Sequence, residues 1–360
     1  MPNKVKGLLE RLQDDETVIV AEGYIFHFER RGYLKAGPFV PEVILEHPEL
    51  VRNAYQEFVH AGSDVVLAFT YYVHREKMRL IGRENDILKM NKDALRMARE
   101  VADETGTLMA GNICNTNLYT PENTKEKNSN IKDMFKEQIE WAVDGGADYM
   151  VAETFLHYGE AVIALEAMNE CAKDLPKVIA FSPVASVKDE SGRYCTTDNV
   201  PYGEACTKLR DAGADVVGLN CGRGPATMIP ILEQIREIYQ GPMCALPLPY
   251  RTTEKEPSFM QLSDPQNGER LFPLDLEVAS CSRKDIAQFG EKCKELNIKY
   301  VGLCCGNLAC QTRTLAETFG RTVPASRYRA DMSLHCIFGT DDKVDKDHRE
   351  QVHSVIVNDK

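Results

Sequence analysis

Three stretches of this 360-residue chain repeat one short pattern: a helix-like segment, a glycine-containing turn, an aspartate and then an apolar run. They read AGSDVVLAF from Ala61, GGADYMVAE from Gly145 and AGADVVGLNC from Ala212. Glycine just past a helix accepts a left-handed backbone, and an unbroken apolar run is the mark of a parallel strand buried on both faces. The pattern therefore predicts helices that feed directly into parallel strands. Runs of this kind occur at 17–21, 64–71, 107–111, 148–153, 177–182, 215–220, 242–247 and 299–304, eight in all. Amphipathic helical patterns lie between them at 41–60, 84–105, 131–143, 160–173, 202–212, 226–239 and 283–296. Eight alternations favour an α/β fold closed as a (β/α)8 TIM barrel over an open doubly wound sheet. The open sheet also lacks its phosphate-binding glycine motif, since VAEGYIF follows the first strand.

Length and charge narrow the function. At this length one large domain is as expected as two, and α/β barrels reach it as a single unit. The excess of 55 Asp+Glu over 43 Lys+Arg leaves a net charge of −12, the wrong sign for phosphate backbones or anionic lipid. Nucleic acid and membrane are excluded as first expectations. No apolar stretch approaches the roughly 20 residues of a membrane span, and the N-terminus MPNKVKGLLERLQDDE has no signal-like apolar core, so a soluble cytoplasmic protein is expected. Twelve cysteines in that setting are expected to be free thiols, most of them small core residues.

In such a barrel the chemistry belongs at the C-terminal ends of the strands. Those ends carry Glu22, then Phe69-Thr70-Tyr71-Tyr72, Glu153, Asn220-Cys221 and Cys304-Cys305. The sixth and eighth strands stand two positions apart around a closed ring, so the three cysteines can converge. Three thiolates with one open position is a catalytic zinc arrangement, and the absence of Cys-x2-Cys spacing argues against a ribbon or finger. Gly302 and Gly306 would allow the turn that two adjacent ligands need, and would equally suit a tight loop without metal. Residues 250–278, rich in Pro, Ser, Asp and Glu, read as an elaborated loop after the seventh strand. His27, His60, His74 and His157 show no ligand spacing and are expected as surface or satisfied loop residues.

GLNCGRGP at 218–225 and GLCCG at 302–306 resemble the two cysteine motifs of the homocysteine S-methyltransferase family. ERRGYLKAGPF at 29–39 and the segment after it resemble its betaine–homocysteine branch, and the likeness spans 7–320. The resemblance implies a barrel over 7–320 with one Zn2+ on Cys221, Cys304 and Cys305, which turns an acceptor thiol into a thiolate that attacks the methyl group of an onium donor. It implies an aromatic cage for that donor at Phe39, Phe69, Tyr71 and Tyr72, with Tyr24 and Phe272 as additions, and an acceptor amino group gripped by Glu153. Asn220 would support the metal shell. Residues 321–360 would be a tail or an oligomerisation segment, with a homo-oligomer possible in this family.

The chain also departs from the pattern. Ala21-Glu22-Gly23 stands where the family has an Asp-Gly-Gly run that holds the acceptor's amino group, so Glu22 and Gly23 are expected to serve there instead. Ala68 replaces a hydroxyl residue near the acceptor, and Phe39 replaces a Trp. The expected reaction is methyl transfer from betaine or a sulfonium to homocysteine, giving methionine. Transfer to another thiol is one alternative, and zinc or thiol binding without turnover is the other.

Overall fold

In a computed structural model that describes residues 5–357, eight parallel strands close into a barrel in sequence order. They are β1 (Val18–Ala21), β2 (Val65–Leu67), β3 (Leu108–Cys114), β4 (Tyr149–Phe155), β5 (Lys177–Phe181), β6 (Val216–Asn220), β7 (Met243–Leu246) and β8 (Tyr300–Leu303). Closure is made by β8 on β1, with Val18 opposite Tyr300 and Ala21 opposite Leu303. Each strand is followed by a helix on the outside: α1 (Pro48–Ala61), α2 (Ile87–Thr105), α3 (Lys125–Asp144), α4 (Tyr158–Cys171), α5 (Tyr202–Asp211), α6 (Pro225–Ile238), α7 (Arg283–Glu295) and α8 (Ala309–Thr318). The expected (β/α)8 barrel is what forms.

The repeated pattern has a physical job. Its glycines, Gly62, Gly146 and Gly213, all hold positive φ, ending a helix where a side chain would clash. Its aspartates tie strands together in pairs. Asp64 accepts from Ile19 N at 2.7 Å, Asp148 from Met109 N at 2.7 Å and Asp215 from Lys177 N at 2.8 Å. Each thus satisfies a backbone donor at the start of the preceding strand that the ladder would leave unpaired. Arginines balance the charge: Arg11 and Arg321 meet Asp64, and Arg99 meets Asp148 at 2.9 Å.

Strand limits differ from expectation where polar residues face the barrel interior. Asn112 and Glu153 sit within β3 and β4, so those strands run to Cys114 and Phe155, beyond the apolar runs. In contrast β2 stops at Leu67, because Phe69 N turns aside to the Tyr55 hydroxyl (2.9 Å) and Thr70 N bonds back to Ala68 O (2.7 Å). That turn lifts Tyr71 and Tyr72 over the mouth of the barrel. The α3 helix begins six residues before the expected start at 131, since its first turns are polar and capped by Thr124. Helix α8, a short helix at Tyr24–Glu29 and a ribbon of Val187–Lys188 with Tyr194–Cys195 were not foreseen.

The chain divides after Val323. The second unit, from Pro324, comprises short helical turns at Pro324–Tyr328 and Met332–Leu334 and a helix at Lys346–Val357. No helix among the described residues is long and apolar enough to cross a membrane.

Candidate active site

The C-terminal end of β7 hangs both cysteine motifs. Cys221 N donates to Leu246 O and Cys304 N to Pro247 O, each at 2.9 Å, so consecutive carbonyls of one strand end hold the motifs of β6 and β8 from either side. Cys221 takes a left-handed φ of 58°, an uncommon conformation for a residue with a side chain. One ligand atom from each of Cys221, Cys304 and Cys305 lies within 4.8 Å of the others, and the Cys304 and Cys305 sulfurs are 3.9 Å apart. Cys221 is held well below the usual thiol range because Cys304, and then Cys305, turn their S–H groups toward it; donating to that anion pushes those two up.

One of the glycines acts differently from expectation. Gly302 lies inside β8, where a Cβ would fall 2.2 Å from Val20 O, so it serves close strand approach and not the turn. Gly306 makes the turn, at φ 89°. Gly23, expected beside substrate, packs its Cα face on the Cys304–Cys305 peptide: a Cβ there would sit 2.2 Å from Cys305 N.

Two chambers meet at Cys305 and Tyr71. The smaller is lined by Gly23, Tyr24, Ala68, Phe69 and Asn112 and ends at Glu153. Beside Glu153 stands Glu22, only 1% exposed, and one oxygen of each lies within 4.8 Å of the Cys304 sulfur. Glu153 is held by amide donors from Asn112 and from Asn220 (2.5 Å). Both oxygens of Glu22 lack a hydrogen-bond partner. Burial, then the charges of Glu153 and Cys221, push Glu22 well above the carboxylate range; burial pushes Glu153 up to about 8 against the pull of Asn112. Asn220 also accepts from Thr154 N at 3.0 Å, so one amide orients both Glu153 and the bend after it.

The larger chamber, about 180 Å³, opens on the other side of Cys221 and Cys305. Its aromatic wall is a chain of edge-to-face rings: Phe39 on Phe26 at 5.9 Å, Phe26 on Phe259 at 6.3 Å and Phe259 on Phe272 at 5.1 Å. Tyr71 and Tyr72 form another wall, with centroids 4.3 Å apart. Asn115, Asn117, Thr154 and Ser182 supply neutral polar groups. Phe39, Tyr72, Asn117, Thr154 and Cys221 all line this chamber in left-handed backbone conformations, and such costly backbone concentrates where a site is shaped for a ligand.

The expected residues therefore separate. Phe39, Tyr71, Tyr72 and Phe272 come together, while Phe69 stacks on Phe28 and meets Tyr24 at 5.4 Å in a buried cluster bordering only the smaller chamber. Phe26 and Phe259 escaped notice, the first on a helix and the second in the loop of residues 250–278. Arg30, from the ERRG segment, donates to the Tyr250 hydroxyl at 2.5 Å and pairs with Glu277, joining the loop after β1 to that after β7. His74 is not at the surface: it is buried, and desolvation, then the charge of Lys77, pushes it down to about 4. Asn112 could have been flagged as a polar residue inside an otherwise apolar run.

A barrel whose mouth gathers three free cysteines beside a carboxylate-ended chamber and an aromatic one has the arrangement of an enzyme active site. Residues 22–319 match the family model described as homocysteine S-methyltransferase, and the chain belongs to that family. It is 33% identical over 322 residues to betaine–homocysteine S-methyltransferase 1 of Xenopus tropicalis, covering 87% of this chain and 75% of that one. The S-methylmethionine–homocysteine S-methyltransferase of Pongo abelii is 32% identical over 323 residues, covering 88% and 82%. Among solved structures, the metallated homocysteine methyltransferase MmuM of Escherichia coli shares the fold, with a TM-score of 0.65 at 16% identity over 86% of this chain and 99% of that one.

Proposed function

We propose that the protein moves a methyl group from an onium donor, betaine or a sulfonium such as S-methylmethionine or dimethylsulfoniopropionate, to the thiol of homocysteine, using one zinc held by Cys221, Cys304 and Cys305. The observation that carries this reading is the position of the cysteine cluster, on the wall between an aromatic chamber and one that ends at the Glu153 carboxylate. The donor set fits the metal: three sulfurs suit zinc, and the 3.9 Å between Cys304 and Cys305 is close to the edge of a tetrahedron with Zn–S bonds of ~2.3 Å, about 3.8 Å. Bound zinc would supply a Lewis acid that keeps the acceptor sulfur a thiolate at neutral pH.

The remaining work falls to the chain. Glu22 and Glu153 are buried carboxyl groups whose ionised forms a substrate ammonium would favour, and the unpartnered oxygens of Glu22 are the strongest sign that a cation belongs there. Glu22 thereby offsets the missing family aspartate. The aromatic wall of Phe26, Phe39, Phe259 and Phe272 offers the onium group an apolar, π-rich surface. The acceptor sulfur attacks the methyl carbon in line, the carbon–nitrogen or carbon–sulfur bond of the donor breaks, and its electron pair leaves with a neutral amine or sulfide. No base is needed in that step. A different thiol acceptor is the second reading, and Ala68 in the smaller chamber, where the family has a hydroxyl, is the observation that favours it.

Freshly purified, reduced protein is expected to contain about one zinc per chain and to convert homocysteine to methionine with at least one of these donors, read by mass spectrometry. Cys221→Ser is expected to lose both metal and transfer. Full activity in metal-free protein overturns the mechanism, and transfer only to another thiol selects the second reading.

A further inference from the structure

Beyond the end of β7 stands Tyr250, fully buried and on the wall of neither chamber. The segment leading to it runs between the two cysteine motifs: Leu246 O and Pro247 O hold Cys221 N and Cys304 N, and Leu248 N donates to Arg223 O at 2.9 Å. Tyr250 then closes on both. A Cβ on Gly306 would run into its hydroxyl and ring, and one on Gly224 into its carbonyl, so each glycine is a contact surface for this one tyrosine. Gly306 follows Cys305 directly, and Gly224 belongs to the same motif as Cys221. The Tyr250 hydroxyl is fixed in turn by Arg30, which donates to it at 2.5 Å, stands 5.8 Å from its ring centroid and is neutralised by the half-exposed Glu277.

We infer that Tyr250 and Arg30 are positioning residues of the metal centre: the tyrosine is a spacer that sets how far the Cys221 motif stands from the Cys304–Cys305 turn, and the arginine locks that spacer in place. This rests on the zinc-dependent reading above. Zinc holds its thiolates in a near-tetrahedron, so displacement of one motif is felt at every metal–sulfur bond. The carbonyls after β7 fix the start of each motif, but the Gly306 turn has no side chain with which to brace itself. A rigid ring wedged against it supplies the brace. Arg30 comes from the loop after β1, which contributes no sulfur, and its planar fork serves the phenol and Glu277 at once. The phenol stays protonated: burial pushes it up against the pull of Arg30, and the charge of Cys305 adds to the rise. The same arginine ends the helix at Tyr24–Glu29 and stands 5.9 Å from the Phe26 ring, so the metal turn and a wall of the larger chamber share one anchor.

The test uses the full chain loaded with zinc or with cobalt alone. Arg30→Met and Tyr250→Phe each break the link between guanidinium and hydroxyl. Each is expected to weaken zinc roughly tenfold in competition with a chromophoric chelator, the low end for groups that orient metal ligands. The double variant is expected to lose no more than either single one, because both remove the same link, whereas independent effects would multiply to roughly a hundredfold. In the cobalt-substituted protein the two single variants are expected to displace the ligand-field bands alike. Should either fail to fold, Glu277→Gln, at a half-exposed position, is expected to weaken zinc in the same direction by releasing Arg30. Unchanged zinc affinity in these variants, or losses that multiply, would overturn the inference, as would lower stability of the metal-free protein with the zinc constant unmoved. A wild type that binds neither ion would instead overturn the zinc-dependent reading, and the inference with it.

Discussion

Two carboxylates buried side by side raise each other's free energy unless a cation joins them, and Glu22 and Glu153 stand in that relation beside Cys304. The two are not equivalent. Asn112 and Asn220 hold the oxygens of Glu153, whereas those of Glu22 have no hydrogen-bond partner, so Glu153 is the fixed member of the pair and Glu22 the one left to be satisfied. Glu153→Gln is expected to raise the KM for homocysteine roughly 30-fold, from the ~2 kcal/mol that removing one member of a buried charge pair costs at the least. It should leave 3-mercaptopropionate, a thiol without an amino group, little affected; steady-state kinetics with the two thiols checks this. Glu22, Glu153 and the cysteines were legible because strand ends could be counted. The partners of Glu153 were legible only in part, because Asn220 adjoins a cysteine motif and Asn112 hides in an apolar run.

At the scale of elements, the repeated aspartate couples each even strand to the odd strand before it in the first three pairs. Asp64 carries the most, since Ile19 N, Arg11 and Arg321 all converge on it from β1 and its surroundings. Asp64→Ala leaves a buried N–H unpaired and removes the carboxylate that two guanidinium groups share, and is expected to cost ~2–3 kcal/mol. Asp64→Asn, which keeps the acceptor for Ile19 N, should cost less; urea midpoints at unchanged slope read the difference. The glycine–aspartate turn was readable because its residue types are required by a left-handed backbone and an orphan donor, both local demands. The helix at Tyr24–Glu29 was not, because its six residues are held by burial of Tyr24, Ile25, Phe26 and Phe28 and carry no full amphipathic period.

For the whole molecule, closure of β8 on β1 is what brings Cys304 and Cys305 to Gly23, and the carbonyls of β7 fix the distance to Cys221. A metal bound there would tie the loops after β1, β6 and β8, so chelation is expected to lower Tm by roughly 3–4 °C, the effect of about 2–3 kcal/mol of ligand linkage on a chain of this size. Calorimetry with and without chelator, with Cys221→Ser showing no further shift, is the check. The alternation of helix and strand, the eightfold count and the convergence of three cysteines followed from the order of residues alone, since each rests on periodicity or on turn chemistry that acts within a few residues. Which aromatic rings line the larger chamber and which carboxylate goes unpartnered were decided only by tertiary packing, because those relations join residues from loops whose paths depend on what the rest of the barrel mouth leaves free.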